Sequence, residues 1–338
     1  MYKVISMFDG ISCGRIALER AGINVERYVA FEIDKYAIQV SKKHYPKIEH
    51  CGDVTTADFT QYKGFDLLIG GSPCQDLSIA GKRKGLDGER SSLFWHYVRA
   101  LKECQPKYFL FENNYRMPKE AEEIITKELG VKPILINSSS FSAQSRERLY
   151  WTNIPVNASA LPLPKLKIKD IMQNDVEEKF FMSYPLILKE PIKNGVIKQV
   201  GEIPKTALKD NERQRRVYSV NGVSPTILAR SDTAKILCVG KLDMKASQQI
   251  RSVYSTDGLS PTIDTAQGGH RQIKILENAQ VRKLTPLECE RLQTLPDNYT
   301  YGVSNTQRYK QIGNGWTVDV IAFIFSFIRE LEEQGNDS

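Results

Sequence analysis

The first 155 residues alternate short apolar runs with stretches of helical spacing, and this alternation constrains the fold of the 338-residue chain most strongly. The runs have the length and composition of strands buried on both faces: Val4–Phe8, Arg27–Phe31, Phe65–Ile69, Tyr108–Phe111 and Pro133–Asn137. Four helix candidates lie between them: Arg15–Ala21, Lys35–His44, Ser91–Cys104 and Lys119–Leu129. We therefore predict an α/β fold in which helices cover both faces of a mostly parallel sheet, with ligands bound beyond the carboxyl ends of its strands.

The second half of the chain has a different character. The segment Asn157–Pro164 is predicted to be a linker, because its two prolines and small residues oppose regular structure. Residues 165–274 then hold 19 Lys and Arg against 12 Asp and Glu, whereas the rest of the chain holds 28 of each, so the whole net charge of +7 lies in this basic block. Clustered cations predict a polyanionic partner, and an incidental bias of a solvated surface is the alternative.

A short pattern occurs twice inside the basic block. Arg216–Ile227 recurs as Arg251–Ile263 with one residue inserted. Each copy contains Asn-Gly or Asp-Gly, then one apolar residue, then Ser-Pro-Thr-Ile. These dipeptides favour tight turns between short strands, so each copy is predicted to be a small β unit, at 213–237 and 248–276. We predict a β-rich domain over 163–306 and a catalytic domain formed by 1–162 and 307–338.

The chain becomes helical again near its end. Thr285-Pro286-Leu287-Glu288 has a capping threonine, a proline at the first helical position and an early acid, which together predict a helix start. The apolar stretch from Val318 to Glu332 is expected to pack back onto the first domain.

Several classes of protein are disfavoured. No segment has the roughly 18 continuous apolar residues of a membrane span, and the first residues lack a signal-peptide core, so we expect a cytoplasmic protein. Six cysteines are spread along the chain without a Cys-x-x-Cys pair, so neither a metal site nor a disulfide framework is predicted.

A cofactor pocket is predicted from three strand ends. Phe8–Gly14 places glycines between the first strand and the first helix, where backbone amides can approach a ligand. Glu32 ends the second strand and can accept hydrogen bonds from ribose hydroxyls, while Asp53 suits an adenine amino group. This trio predicts an adenosine-containing cofactor, and a nicotinamide cofactor and S-adenosylmethionine are equally compatible with it.

Nucleophilic catalysis is predicted from the later strand ends. Cys74 follows Gly-Gly-Ser-Pro on a rigid loop after an apolar strand, which presents the thiol rather than packing it in a core. Glu112 ends a strand of aromatic residues, and Arg146 and Arg148 follow the last predicted strand. Together these groups suit attack on an electron-poor ring.

The sequence resembles the cytosine-C5 DNA methyltransferases over nearly its full length. Six motifs occur in that family's order: Phe8-x-Gly10, Gly71-Ser72-Pro73-Cys74-Gln75, Phe111-Glu112-Asn113, Gln144-x-Arg146-x-Arg148, Arg282–Gln293 and Gln311-Ile312-Gly313-Asn314. The resemblance implies a Rossmann-like catalytic domain, S-adenosylmethionine as cofactor, and target recognition by the basic block. It also implies a monomer acting on double-stranded DNA in a prokaryotic cell or a phage-infected host, with a cognate restriction endonuclease as a candidate partner.

The resemblance further implies roles for individual residues. Cys74 would add to carbon 6 of a cytosine flipped out of the duplex, Glu112 would act at N3, and Arg148 and Arg146 would hold O2 and the neighbouring phosphate. The expected cofactor contacts are Phe8, Asp9, Gly10, Ile11, Glu32, Ile33, Asp53, Val54, Pro73, Leu93, Asn314 and Trp316. The expected DNA contacts are Lys82, Arg83, Lys84, Arg216, Arg230 and Arg251.

Three features depart from the usual pattern of that family. Asn114 stands where valine is common, and Ala80 stands where many bacterial members have a loop serine that enters the DNA. The first motif and Gly313-Asn314-Gly315-Trp316 are similar to those of the animal de novo methyltransferases. Three alternatives stay open: a tRNA cytosine methyltransferase, a DNA-binding homologue without activity, and a dinucleotide-dependent oxidoreductase.

Overall fold

The first half of the chain folds around one seven-stranded sheet. The computed structural model describes residues 1–73, 93–181, 186–188, 199–202, 216–218, 238–242, 252–257, 259–263, 272–277 and 280–336. The strands of this sheet are β1 (Tyr2–Met7), β2 (Val25–Phe31), β3 (Glu49–His50), β4 (Leu67–Gly70), β5 (Tyr108–Asn114), β6 (Ile134–Asn137) and β7 (Glu147–Thr152). Their order is β3-β2-β1-β4-β5-β7-β6, and the first five are parallel, which confirms the predicted fold class.

The sequence analysis did not predict β7, the strand that starts just after Arg146. It runs antiparallel between β5 and β6, so its first residues lie beside the last residues of β5, with Arg148 opposite Asn114. An antiparallel strand thus brings its amino end to the edge where the parallel strands have their carboxyl ends. The arginine motif therefore reaches the expected edge of the sheet from an unexpected strand.

Helices cover both faces of the sheet, as predicted. They are α1 (Cys13–Arg20), α2 (Lys35–His44), α3 (Leu93–Cys104) and α4 (Lys119–Leu129). Successive residues of β4 point to opposite faces, so Leu67 and Ile69 belong to one buried apolar cluster and Leu68 to the other. The alternation of strands and helices is therefore explained by two apolar cores, one on each face.

The described residues between 186 and 283, which include parts of the basic block, form short strands in two small sheets. The strands are β8 (Leu186–Leu188), β9 (Gln199–Glu202), β10 (Arg216–Tyr218), β11 (Cys238–Leu242), β12 (Ser252–Ser255), β13 (Lys274–Glu277) and β14 (Gln280–Lys283). One sheet has the order β14-β13-β12-β11-β8, and β9 pairs with β10 in the other. β10 and β12 occupy equivalent positions in the two copies of the repeat. In the second copy, Ser260 forms an isolated parallel β-bridge with Gln144 of the first domain. It does not pair with β12, the strand that precedes the turn in this copy.

Three helices complete the chain: α5 (Pro286–Leu292), α6 (Asn305–Asn314) and α7 (Val318–Asn336). The predicted helix start at Thr285 is confirmed, and Thr285 and Glu288 form a capping box there. The packing of α7 onto the first domain is confirmed, since Asp319 pairs with Arg20 of α1 at 2.6 Å. α6 crosses the predicted domain boundary at 306/307, so the boundary positions stay a prediction.

Within the described part of the chain, one stretch is long and apolar enough to cross a membrane. It covers Asn305–Glu333, and 61% of its apolar window is buried inside the fold. Such burial is typical of a core helix.

Candidate functional site

A cavity of about 610 Å³ lies at the carboxyl ends of β1, β2, β4 and β5. Eleven of the twelve predicted cofactor contacts line it: Phe8, Asp9, Gly10, Glu32, Ile33, Asp53, Val54, Pro73, Leu93, Asn314 and Trp316. Glu112, Arg146 and Arg148 line the same cavity. The structure thus brings the predicted cofactor residues and three of the four predicted catalytic residues to one place.

Ile11 is the exception among the predicted cofactor contacts. Its side chain is 1% exposed and packs in an apolar core, and its carbonyl accepts a hydrogen bond from the Tyr299 hydroxyl at 2.8 Å. An aliphatic side chain next to a glycine turn gains more from the core than from the cavity. The structure therefore places Ile11 behind the cavity wall.

Glu32 ties together the two loops at one end of the cavity. One carboxylate oxygen, Oε2, accepts from the amide of Gly10 at 2.8 Å, where the backbone has the positive φ of 59°. The other, Oε1, accepts from the amides of Ile33 and Asp34, each at 2.8 Å. A single carboxylate at the end of β2 therefore fixes the glycine loop after β1 and the turn before α2.

Asp9 lies buried in the wall beside Gly10. Its carboxylate accepts hydrogen bonds from the Ser12 hydroxyl at 2.5 Å and from the Tyr28 hydroxyl at 2.8 Å. Burial nevertheless raises the pKa of the Asp9 carboxyl to about 6. Asp9 thus anchors the entry to α1 while adding a titratable group to the cavity wall.

Glu112 and its partners form the opposite end of the cavity. Glu112 Oε1 pairs with Arg148 Nε at 2.9 Å, and Glu112 Oε2 accepts from the indole N–H of Trp316 at 3.2 Å. A Cβ at position 71 would lie 2.7 Å from Glu112 Oε2, so a residue other than glycine there would displace the carboxylate or the loop. Both carboxylate oxygens are consequently oriented by groups from β7 and from the loop after α6.

The loop leading to Cys74 is held against β5. Asn113 is 1% exposed, and its amide donates to the Ser72 hydroxyl at 3.4 Å. Pro73, the next residue, lines the cavity. Cys74 itself lies outside the described residues, as do Lys82, Arg83, Lys84, Arg230 and Arg251, while Arg216 is described only as part of strand β10. Their predicted roles stay predictions.

Arg146 makes contacts that differ from those expected of a base- or phosphate-binding residue. Its guanidinium donates to the backbone carbonyls of Ile263 at 3.2 Å, Gly313 at 3.2 Å and Gly315 at 3.1 Å. The residue is only 6% exposed. Arg146 therefore lines the cavity while bonding to two distant segments of backbone.

Sequence reasoning missed Lys310 and Gln311, which also line the cavity. Lys310 pairs with Asp34, the residue capping α2, at 2.6 Å. Gln311 is 4% exposed, and neither atom of its amide has a hydrogen-bond partner among the described residues. Gln311 belongs to the last quoted motif, so the motif itself was the signal that could have identified it.

The cavity also contains a cysteine that is unsuited to nucleophilic attack. Cys13 lines the wall at the start of α1, and burial raises the pKa of its thiol to about 12. A thiol with such a pKa stays protonated near neutral pH, and the thiolate is the reactive form. Cys13 is therefore a packing residue.

Comparison with known proteins agrees with this arrangement. The family model for C-5 cytosine-specific DNA methylase matches residues 2–330. The orphan methyltransferase M.SPRI of Bacillus phage SPR is 27% identical, with 96% of each chain covered. The type II methyltransferase M.HhaI of Haemophilus parahaemolyticus is 27% identical, with 95% of this chain and 92% of the relative covered.

A solved structure shares the fold. The Entamoeba histolytica methyltransferase EhMeth superimposes with a TM-score of 0.68 at 16% identity, covering 98% of this chain and 99% of that one. Because the family model spans nearly the whole chain, this protein belongs to the C-5 cytosine-specific DNA methylase family.

Proposed function

We propose that this protein transfers a methyl group from S-adenosylmethionine to carbon 5 of a cytosine in double-stranded DNA. One observation carries the proposal: a single cavity has Gly10 and Glu32 at one end and Glu112 paired with Arg148 at the other. Pro73, the residue bonded to Cys74, lines the same cavity. A cofactor at the first end and a base at the second would meet between them.

The cavity fits the proposed cofactor in size and in chemistry. About 610 Å³ falls within the range of roughly 300–1,000 Å³ that small-molecule sites occupy. Glu32 and Asp53 supply acceptors for ribose hydroxyls and an adenine amino group, and Ile33, 74% exposed, supplies an apolar surface. The buried amide of Gln311 is a polar group that a ligand can satisfy. When bound, S-adenosylmethionine supplies a methyl group on a positively charged sulfur, open to attack by an electron-rich carbon.

Cytosine needs activation because its carbon 5 is a poor nucleophile. The thiolate of Cys74 would add to carbon 6, so that electron density moves onto carbon 5. After methylation, loss of the proton from carbon 5 to a base would restore the double bond and expel the thiolate. Glu112 would donate a hydrogen bond or a proton to N3 of the base and so stabilise the negative charge that develops there on addition. Arg148 would orient Glu112 and hold O2 of the base.

The proposed target lies inside duplex DNA, so the cytosine must leave the stack, at a cost of a few kcal/mol. The basic block, with 19 Lys and Arg over residues 165–274, would supply sequence-independent attraction to the phosphates. We include Lys82, Arg83, Lys84, Arg216, Arg230 and Arg251 as the proposed DNA contacts. We further propose that the protein acts as a monomer in the cytoplasm, associated with DNA, with a cognate restriction endonuclease as a candidate partner.

Methyl-group transfer from labelled S-adenosylmethionine tests the proposal. The purified protein is incubated with the cofactor and either duplex DNA or tRNA, and the label is expected in DNA alone. Cys74→Ala should abolish transfer and retain DNA binding, whereas Cys51→Ala, which changes an exposed cysteine, should leave transfer unchanged. Label in tRNA alone, or transfer by Cys74→Ala, would contradict the proposal, and DNA binding without transfer by the wild type would favour a homologue without activity.

A further inference from the structure

We propose that Arg146 is a positioning residue that connects the second copy of the duplicated β unit to Glu112, rather than a residue that binds the target base or its phosphate. The inference rests on the proposed function, because it assigns a role within the proposed methyl-transfer site. It also gives the second copy a function different from reading DNA.

The tail of the second copy is attached to the first domain by backbone hydrogen bonds. The amide of Ser260 donates to the carbonyl of Ala143 at 2.8 Å, and the amide of Ser145 donates to the carbonyl of Ser260 at 3.0 Å. The Thr262 hydroxyl donates to the carbonyl of Ser145 at 3.0 Å. Ser260 is fully buried. The Ser-Pro-Thr-Ile segment of the second copy therefore lies along the residues that lead into Arg146.

Arg146 connects the second copy to the end of α6 and the loop that follows it. Its Nη1 donates to the carbonyl of Ile263, at the end of the second copy, and its Nη2 donates to the carbonyls of Gly313 and Gly315. A guanidinium is planar and rigid, so its donors hold these two segments in a fixed relation. Turning the group toward a phosphate would break these bonds and remove the donor that the carbonyls of Ile263 and Gly313, two buried residues, have in Arg146, which is costly.

The loop held by Arg146 carries Trp316 to the reacting end of the cavity. Gly315 precedes Trp316, whose indole donates to Glu112 Oε2 at 3.2 Å. The fit at Gly315 is close, since a Cβ there would lie 3.1 Å from Cys13 Sγ and 3.2 Å from the carbonyl of Gln311. If the second copy moved, Arg146 would therefore move with it and shift Gly315 and Trp316, and the hydrogen bond from Trp316 would then change the position of the Glu112 carboxylate.

A measurement that needs no turnover tests this connection. The chain has three tryptophans, so protein made with 5-fluorotryptophan gives three ¹⁹F signals, each assignable with a Trp-to-Phe variant. Arg146→Met should shift the Trp316 signal and leave those of Trp95 and Trp151 in place, and Arg146→Lys should shift it less because one cation remains. An unshifted Trp316 signal in Arg146→Met would overturn the inference.

The duplication supplies a matched pair of milder variants. Thr262→Val removes the exposed hydroxyl bond to Ser145, and Thr226→Val makes the same change at the equivalent position of the first copy. We expect Thr262→Val to move the Trp316 signal in the same direction as Arg146→Met, and Thr226→Val to leave it unmoved. Equal shifts in the two variants would contradict a role particular to the second copy.

Kinetics separate positioning from direct contact with DNA. At saturating DNA and cofactor, Arg146→Met should slow single-turnover methyl transfer about 30-fold, with the Kd for DNA changed less than about threefold. Weakened DNA binding with an unchanged single-turnover rate would instead assign Arg146 to a phosphate and overturn the inference. A wild-type protein without methyl transfer would refute the proposed function, whereas the fluorine signals would still decide the connection.

Discussion

Gly71→Ala is expected to disable the site while leaving the fold intact. The added Cβ would lie 2.7 Å from Glu112 Oε2, 3.1 Å from the carbonyl of Glu112 and 3.3 Å from Trp316 Nε1. The carbonyl belongs to strand β5 and cannot turn away. Either the carboxylate rotates and loses its bond to Trp316, or the loop before Cys74 moves away from β5.

Both responses affect the reacting groups. The resulting losses of stability and of transfer rate can be estimated separately. Overpacking of this kind costs about 1–3 kcal/mol of stability. Loss of a hydrogen bond to a charged group costs about 1.5–3 kcal/mol, which corresponds to about a 10–150-fold lower rate if the bond is needed in the transition state. We therefore expect single-turnover methyl transfer to DNA to slow by one to two orders of magnitude.

Gly64→Ala is the control for lost stability. Gly64 has a φ of 84°, and a Cβ there would meet nothing within 4 Å, so the change costs about 1–2 kcal/mol of backbone strain away from the cavity. It should lower the free energy of urea unfolding by a comparable amount and leave the transfer rate unchanged. A wild-type rate in Gly71→Ala, or equal slowing in both variants, would refute the reasoning.

Three further variants test other parts of the site. Asp9 has a folded-state pKa of about 6 against an ordinary 3.8, so its contribution to stability falls as pH rises between these values. The unfolding free energy of the wild type relative to Asp9→Asn should drop by about 2.4 kcal/mol from pH 4 to pH 7, and a constant difference would contradict the burial effect. Glu32→Gln should weaken cofactor binding about 10–100-fold by calorimetry, because an amide cannot accept from both loops, while Glu49→Gln on the surface should not. Trp316→Phe removes the same hydrogen bond that Gly71→Ala disturbs, so the double variant should transfer methyl groups no more slowly than the slower single variant; additive losses would show that the two act separately.

The parallel part of the sheet was predictable because local patterns determine it. Each of β1, β2, β4 and β5 contains a mostly apolar run, and Asp34 and Thr285 cap helices that begin where their sequence signals stand. β7 was missed because its first residues, Glu147 and Arg148, are charged and give no buried-strand pattern. Its position between β5 and β6 depends on pairing with strands distant in sequence.

The cavity could be predicted in part for the same reason. Gly10, Glu32 and Glu112 follow or end strands, and parallel strands bring their carboxyl ends to one edge. The contacts of Arg146 were not predictable, since its partner Ile263 lies 117 residues away and no local pattern records that contact. Ile11 was assigned to the cavity from its place in a motif, but the choice between core and cavity depends on packing around the motif.

Bisulfite sequencing of DNA from cells that express the wild type or Cys74→Ala tests the proposed function most directly, because it reports the activity, the modified base and its sequence context together. We predict protected cytosines at one short recurring sequence with the wild type and none with Cys74→Ala. DNA from wild-type cells without protected cytosines, or protection that persists in Cys74→Ala, would contradict cytosine-C5 methylation through Cys74.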